Sequence, residues 1–170
     1  MSMWPQRRYW LSLGCCFLLA GCAATASRVA VPYVVELQAL SEVNPGADGE
    51  ASPIQLTVYE LASTGRFQST GYFELQNDAS QTLGDELLAT SRMILKPGET
   101  QTVSRPGNVE AKALGIVAGY RNLDTSRWRL VLELPASKNT NVYKFWQFSP
   151  GQKRIRIEAG RDSLKAVAGK

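Results

Sequence analysis

Reactive side chains are scarce in this 170-residue chain, and the ones that could do chemistry are quickly sorted. Histidine is absent and cysteine occurs only at positions 15, 16 and 22. Without histidine the most common general base is missing, and with it the usual triads and most zinc sites. No serine has a lysine three residues on, and neither a G-x-S-x-G elbow nor a phosphate-cradling glycine loop occurs. A carboxylate pair for glycoside hydrolysis would depend on proximity in space, which sequence does not display. In "NPGADGE" (44–50), Asn44, Asp48 and Gly49 fit positions 1, 5 and 6 of an EF-hand loop. Position 3 is Gly46, however, and position 12 is Gln55 where a bidentate glutamate is needed. The expectation is a non-enzymatic protein with no metal.

Cys22 remains. It follows a positive flank, Arg7 and Arg8, and an apolar run of about a dozen residues, "YWLSLGCCFLLA" (9–20), with small residues at its end. That is the layout of a secretory signal, and the run is shorter than the roughly 18–20 residues of a membrane span. Leu19-Ala20-Gly21-Cys22 resembles the bacterial lipobox, in which the cysteine becomes the first residue of the mature protein after its thiol takes a diacylglyceryl group. Two or three acyl chains, at about 0.8 kcal/mol per buried CH₂, hold a protein essentially permanently at a membrane. Residues 1–21 are therefore expected to be removed, and the only attached group is a covalent lipid on Cys22, with no other cofactor. The mature chain then has a single cysteine and no disulfide. Ala23 stands where an inner-membrane lipoprotein usually has aspartate, which by likeness to such lipoproteins implies the outer membrane, facing the periplasm. Removing Arg7 and Arg8 leaves 17 basic against 15 acidic side chains, a net charge of +2, too balanced to suggest nucleic acid as a partner.

The elements that must carry any function are strands. "PYVVELQAL" (32–40) alternates Tyr33, Val35, Leu37 and Ala39 with polar residues. "PIQLTVYEL" (53–61) sets Ile54, Leu56 and Val58 opposite Gln55, Thr57 and Tyr59. "RWRLVLEL" (127–134) and "KRIRIE" (153–158) alternate in the same way, and "LGIVAGY" (114–120) is apolar on both faces, as in a covered central strand. Residues 87–95, 100–104 and 142–148 complete about eight strands, separated by Pro/Gly turns. The expected fold is all-β, a two-sheet sandwich. Residues 65–86 break the period of two and are expected to form a small helical insertion between the second and third strands. In it Phe67, Tyr72 and Leu75 share one side, and Ser69 or Thr70 caps a turn. The domain plan is a lipidated Cys22 with a short tether (22–31), a sandwich (32–160) and a C-terminal tail (161–170).

Two stretches suggest binding. "VYKFWQF" (142–148) has aromatics on both faces and would suit stacking on sugars, the basis of an alternative role as a glycan- or small-molecule-binding lipoprotein. Core packing of Val142, Trp146 and Phe148, with Tyr143 and Phe145 under a neighbouring element, accounts for the same pattern and is preferred. "SEVNPGADGEAS" (41–52) is long beside the two to five residues of a usual hairpin loop, and by itself is equally a binding loop or slack chain.

The lipobox, "SPIQLTVYEL" (52–61), "GRFQSTGYFEL" (65–75), "TLGDELL" (82–88), "ILKPGE" (94–99) and "LGIVAGYRNLDTSRWR" (114–129) together resemble the type VI secretion lipoprotein family, TssJ. The resemblance implies an outer-membrane lipoprotein with a transthyretin-like sandwich that binds the periplasmic C-terminal domain of the inner-membrane protein TssM. It also implies that the loop between the first two strands makes the contact. That loop would offer Glu42, Val43, Asn44, Pro45, Gly46, Asp48, Gly49 and Glu50 to the partner, with Val43 and Pro45 as apolar rim residues.

Overall fold

The protein is described here by a computed structural model covering residues 26–141 and 151–167. The signal 1–21, Cys22 and the aromatic stretch 142–148 lie outside the described residues. Strands β2 (Tyr33–Ala39), β5 (Thr100–Arg105), β9 (Lys153–Ala159) and β10 (Leu164–Val167) form one sheet in the order β10-β9-β2-β5. Strands β3 (Ile54–Leu61), β4 (Leu87–Leu95), β6 (Ala113–Ala118) and β7 (Arg129–Glu133) form the other, in the order β4-β3-β6-β7. All pairs are antiparallel except β2 with β9. A third, two-stranded sheet joins β1 (Ala26–Val29) to β8 (Lys138–Asn141).

The period of two in the sequence becomes the sandwich core. Tyr33, Val35, Leu37 and Ala39 of β2 and Ile157 and Ala159 of β9 face Ile54, Leu56 and Val58 of β3 and Leu114, Ile116 and Ala118 of β6, all buried. Central β6 is buried along its whole length, as its doubly apolar sequence requires.

The second face of β3 departs from expectation. Thr57 and Tyr59, read as solvent-facing, are fully buried, because the helical insertion lies over them. It consists of α1 (Gly65–Ser69), α2 (Tyr72–Asn77), α3 (Ala79–Leu83) and a 3₁₀ turn (Gly84–Glu86) between β3 and β4. Phe67, Leu75 and Leu83 close a second core with Tyr59, Leu61 and Val117, while Tyr72 is only partly buried against it. The Tyr59 hydroxyl donates to the Leu75 carbonyl at 2.8 Å, tying the insertion to the sheet. Thr70 does sit at a helix end, but at the C-terminus of α1, where its N–H and hydroxyl both donate to the Arg66 carbonyl. The cap of α3 is Asp78, whose carboxylate accepts from the Gln81 N–H.

The sheets also extend past both expected domain limits. Residues 26–29, read as part of a short tether, are β1, and Arg28 fixes it by donating to Ser137, Glu110 and the Val109 carbonyl. Within the expected tail, β10 pairs with β9.

Four buried or half-buried phenols give the fold an alkaline limit. Burial pushes Tyr33, Tyr59, Tyr72 and Tyr120 above their ordinary range, with Glu60 adding to Tyr33 and Asp162 to Tyr120. A folded-state value above the unfolded one, about 10, means that this stability is intact below pH about 10 and is lost as pH rises beyond it. The midpoint of thermal unfolding is expected to stay level to about pH 9 and then fall. A midpoint still level at about pH 11 would contradict the burial of these rings.

Candidate functional site

The end of the sandwich where β2 and β9 run out is built by three loops, 40–53, 119–128 and 160–163, together with the β4–β5 turn. The longest of them is not slack. Val43 is fully buried in the main core, and Asn44 is 4% exposed. Asn44 has a positive φ of 49°, a left-handed conformation that asparagine tolerates better than most residues. Its side chain spans two segments: Nδ2 donates to the Pro53 carbonyl at 2.9 Å, and Oδ1 accepts from the Arg121 N–H at 2.8 Å. Its own N–H donates to the Arg161 carbonyl at 3.2 Å. One residue thereby locks all three loops together.

Beyond this stem the tip closes on itself. The Gly46 N–H donates to the Glu50 carbonyl at 2.8 Å, and the Gly49 N–H returns to the Gly46 carbonyl at 3.0 Å. The Asp48 carboxylate accepts from the Glu50 N–H, and Gly49 supplies the positive φ of 82° that the reversal needs. Ala47, Asp48, Gly49 and Glu50 are exposed, as is Glu42 at the foot of the loop, while Pro45 and Gly46 are half-buried.

This corrects part of the sequence reading. Val43 is not a rim residue for a partner. Val43 fills the core and has no surface to offer, whereas Asn44 is the internal brace and shows only its small exposed part, on the wall of the adjoining cleft. Glu42, Pro45, Gly46, Asp48, Gly49 and Glu50 are brought to one exposed end.

Beside the tip opens a cleft of about 270 Å³. Pro45 and Gly46 line it from the first loop, Asn122 and Ser126 from the second, and Arg161 and Asp162 from the third. Tyr120, itself 4% exposed, donates to the Gly160 carbonyl at its base. Sequence reasoning missed these partners. Nothing in a single sequence shows that three turns so far apart share one end. Among the described residues, no group of three or more histidine, cysteine or acidic side chains could hold a metal ion. The cleft offers hydrogen-bonding groups and mixed charge, which suits recognition of a polar surface.

The model of the type VI secretion lipoprotein family, which groups VasD, EvfM and TssJ, matches residues 32–162. The chain belongs to the type VI secretion lipoprotein family. The lipoprotein TssJ1 of the Pseudomonas aeruginosa type VI system is 31% identical and has a TM-score of 0.72, over 83% of this chain and 98% of that one. Serratia marcescens Lip, a membrane-bound component of the type VI secretion system, is 34% identical with the same TM-score, over 81% of this chain and 98% of that one. A chain in a structure described as the TssM C-terminal domain of a type VI system from EAEC shares the fold at 20% identity and a TM-score of 0.65, over 82% of this chain and 99% of that one. No curated protein sequence matches the chain. The type VI secretion lipoproteins are not known as a family of enzymes. Among the described residues of this member, no helix is long and apolar enough to cross a membrane.

Proposed function

We propose that this type VI secretion lipoprotein is anchored in the outer membrane by lipid on Cys22, faces the periplasm, and docks the periplasmic C-terminal domain of an inner-membrane TssM-like protein. The contact is made by the three-loop end, with Glu42, Pro45, Gly46, Asp48, Gly49 and Glu50 as contact residues and the adjoining cleft as part of the surface. The observation that carries this reading is the placement of the braced loop. β2 begins beside the N-terminal strand, next to the anchor, and delivers the chain seven residues later to the loop at the opposite end. At about 3.3 Å per residue the tip stands roughly 20 Å or more from the anchored end. Residues 22–31 form the link to the lipid, and β1 holds four of them in a paired strand.

A stiff tip needs little ordering on binding, which favours affinity. Its three carboxylates predict a partner surface with lysine or arginine, and such pairs act mainly on association rate and specificity. The test is calorimetric titration of unlipidated 23–170 with the matching TssM-like domain. Replacing residues 45–50 by a Gly-Ser stretch of equal length, with Val43 and Asn44 kept, is expected to weaken binding about tenfold or more, or about 1.4 kcal/mol. Unchanged affinity in a folded variant would move the interface off the tip. Absence of binding by the unaltered domain would sink the docking reading.

A further inference from the structure

The two ends of the sandwich differ in charge. The end where β2 begins is closed by residues 26–33, 105–112, 134–138 and 151–154, because Tyr33 pairs with Arg105 and Lys153 while Arg28 reaches Glu110 and Ser137. These segments carry Arg28, Arg105, Lys112, Lys138, Lys153 and Arg154 against the carboxylate of Glu110, with Glu133 beside Lys112 and the buried Glu60 beside Tyr33 adding two more. Asp85, Glu86 and Arg66 on the adjoining helical flank lower that excess by one. Arg28, Lys112, Lys153 and Arg154 are exposed, whereas Arg105 is half-buried and turned toward Ser91 and the Thr90 carbonyl. The opposite end bears the acidic loop with Glu42, Asp48 and Glu50, and its other loops add Glu99, Asp124 and Asp162 against Lys96, Arg121, Arg127 and Arg161, so that its carboxylates outnumber its cations. A nearly balanced chain is thus polarised along its strands.

The basic end is also where the chain arrives from its anchor. Cys22 precedes Ala26, the first residue of β1, by four residues. Four residues reach no more than about 14 Å at about 3.3–3.6 Å each. The screening length in about 0.1 M salt is about 10 Å. With the Cys22 lipid in a bilayer, Ala26 lies within little more than one screening length of the lipid phosphates, and the basic end is the end of the sandwich that β1 leads into. The acidic loop lies a strand's length farther away. β1 cannot swing loose to relax this, since it is paired with β8 and held by Arg28.

We propose that the basic end, with Lys112, Lys153 and Arg154 foremost, is a docking surface for the anionic head groups of the leaflet that holds the anchor, and that this contact stands the domain upright with its acidic loop away from the membrane. The proposal rests on lipidation of Cys22. It converts a tethered domain into an oriented one, so the docking loop searches a narrower range of directions for its partner.

The test separates orientation from lipidation. The 22–170 chain contains the whole described sandwich and one thiol, at Cys22, which can be coupled to a maleimide lipid whether or not a cell acylates it. Vesicles of phosphatidylethanolamine with about one third phosphatidylglycerol are compared with phosphatidylcholine vesicles, and acylation of each lysine is read by mass spectrometry. Lys112 and Lys153 are expected to react about threefold or more slower on the anionic vesicles, while Lys96 at the opposite end is unchanged; about 0.5 M salt should abolish the difference. The pair Lys112→Glu and Arg154→Glu should remove the protection of Lys153. Equal labelling of Lys153 on both vesicles would overturn the proposal, and so would equal slowing of Lys96 and Lys153. Palmitate labelling of Cys22 in cells is a separate readout, so loss of the anchor and loss of orientation are told apart.

Discussion

Phe67→Ala is expected to destabilise the domain by about 3–5 kcal/mol, measured as the shift in urea unfolding. Phe67 is fully buried in a helix of only five residues, which has no stability of its own and persists through what it packs on. The ring lies on Gly115 of β6. A Cβ added at Gly115 would stand 2.6 and 2.7 Å from two ring carbons, so the glycine is the floor of the ring's pocket. Tyr59 packs on it at 5.5 Å between centroids. Above the ring, the Phe67 and Thr70 carbonyls accept from Arg129 at 2.6 and 2.9 Å, and that guanidinium stacks on Trp128 at 4.6 Å. The site cannot collapse to fill the space, because sheet, helix and arginine clamp each hold their side of it.

The same geometry predicts how two changes combine. Gly115→Ala alone should cost about 1–3 kcal/mol through overpacking. With Phe67→Ala already present, the added methyl enters space the ring has left and should cost little or nothing. Strictly additive losses would mean that Phe67 and Gly115 do not share this pocket.

What the sequence showed, and what it did not, follows from which interactions leave a period. β2 was legible because Tyr33, Val35, Leu37 and Ala39 alternate with half-exposed residues and face one core. β6 was legible because both its faces are covered. β3 was read on one face only. Thr57 and Tyr59 look polar enough for solvent, and only the helices arriving from farther along the chain bury them. "ASRV" (26–29) and "KNTN" (138–141) carry no apolar alternation and become strands by pairing with each other. β10 likewise owes its strand to β9. At the candidate site, the exposed acidic and glycine-rich tip was legible from composition. Val43 was not, since a single apolar residue in a polar loop has no period to reveal whether it turns in or out. The second and third loops were hidden altogether, because shared position at one end of a sandwich is a property of topology.

The case that joins stability to docking is Asn44. Asn44→Ala should destabilise the domain by about 2–4 kcal/mol: it removes the hydrogen bonds to the Pro53 carbonyl and the Arg121 N–H, and it places alanine in a left-handed conformation. Asn44→Gly removes the same hydrogen bonds but tolerates that conformation, and should recover about 1 kcal/mol of the loss. A smaller loss for alanine than for glycine would contradict the left-handed assignment. Both variants should also weaken partner binding while still folded, although Asn44 is only 4% exposed. Loop 40–53 and loop 119–128 are held in register by this one side chain, so its removal lets the tip and the cleft wall move independently. Restoring stability elsewhere, for instance with an osmolyte, should rescue folding but not affinity if the brace acts by positioning the tip. If affinity returned together with stability, Asn44 would matter to the fold alone, and the tip would be rigid without it.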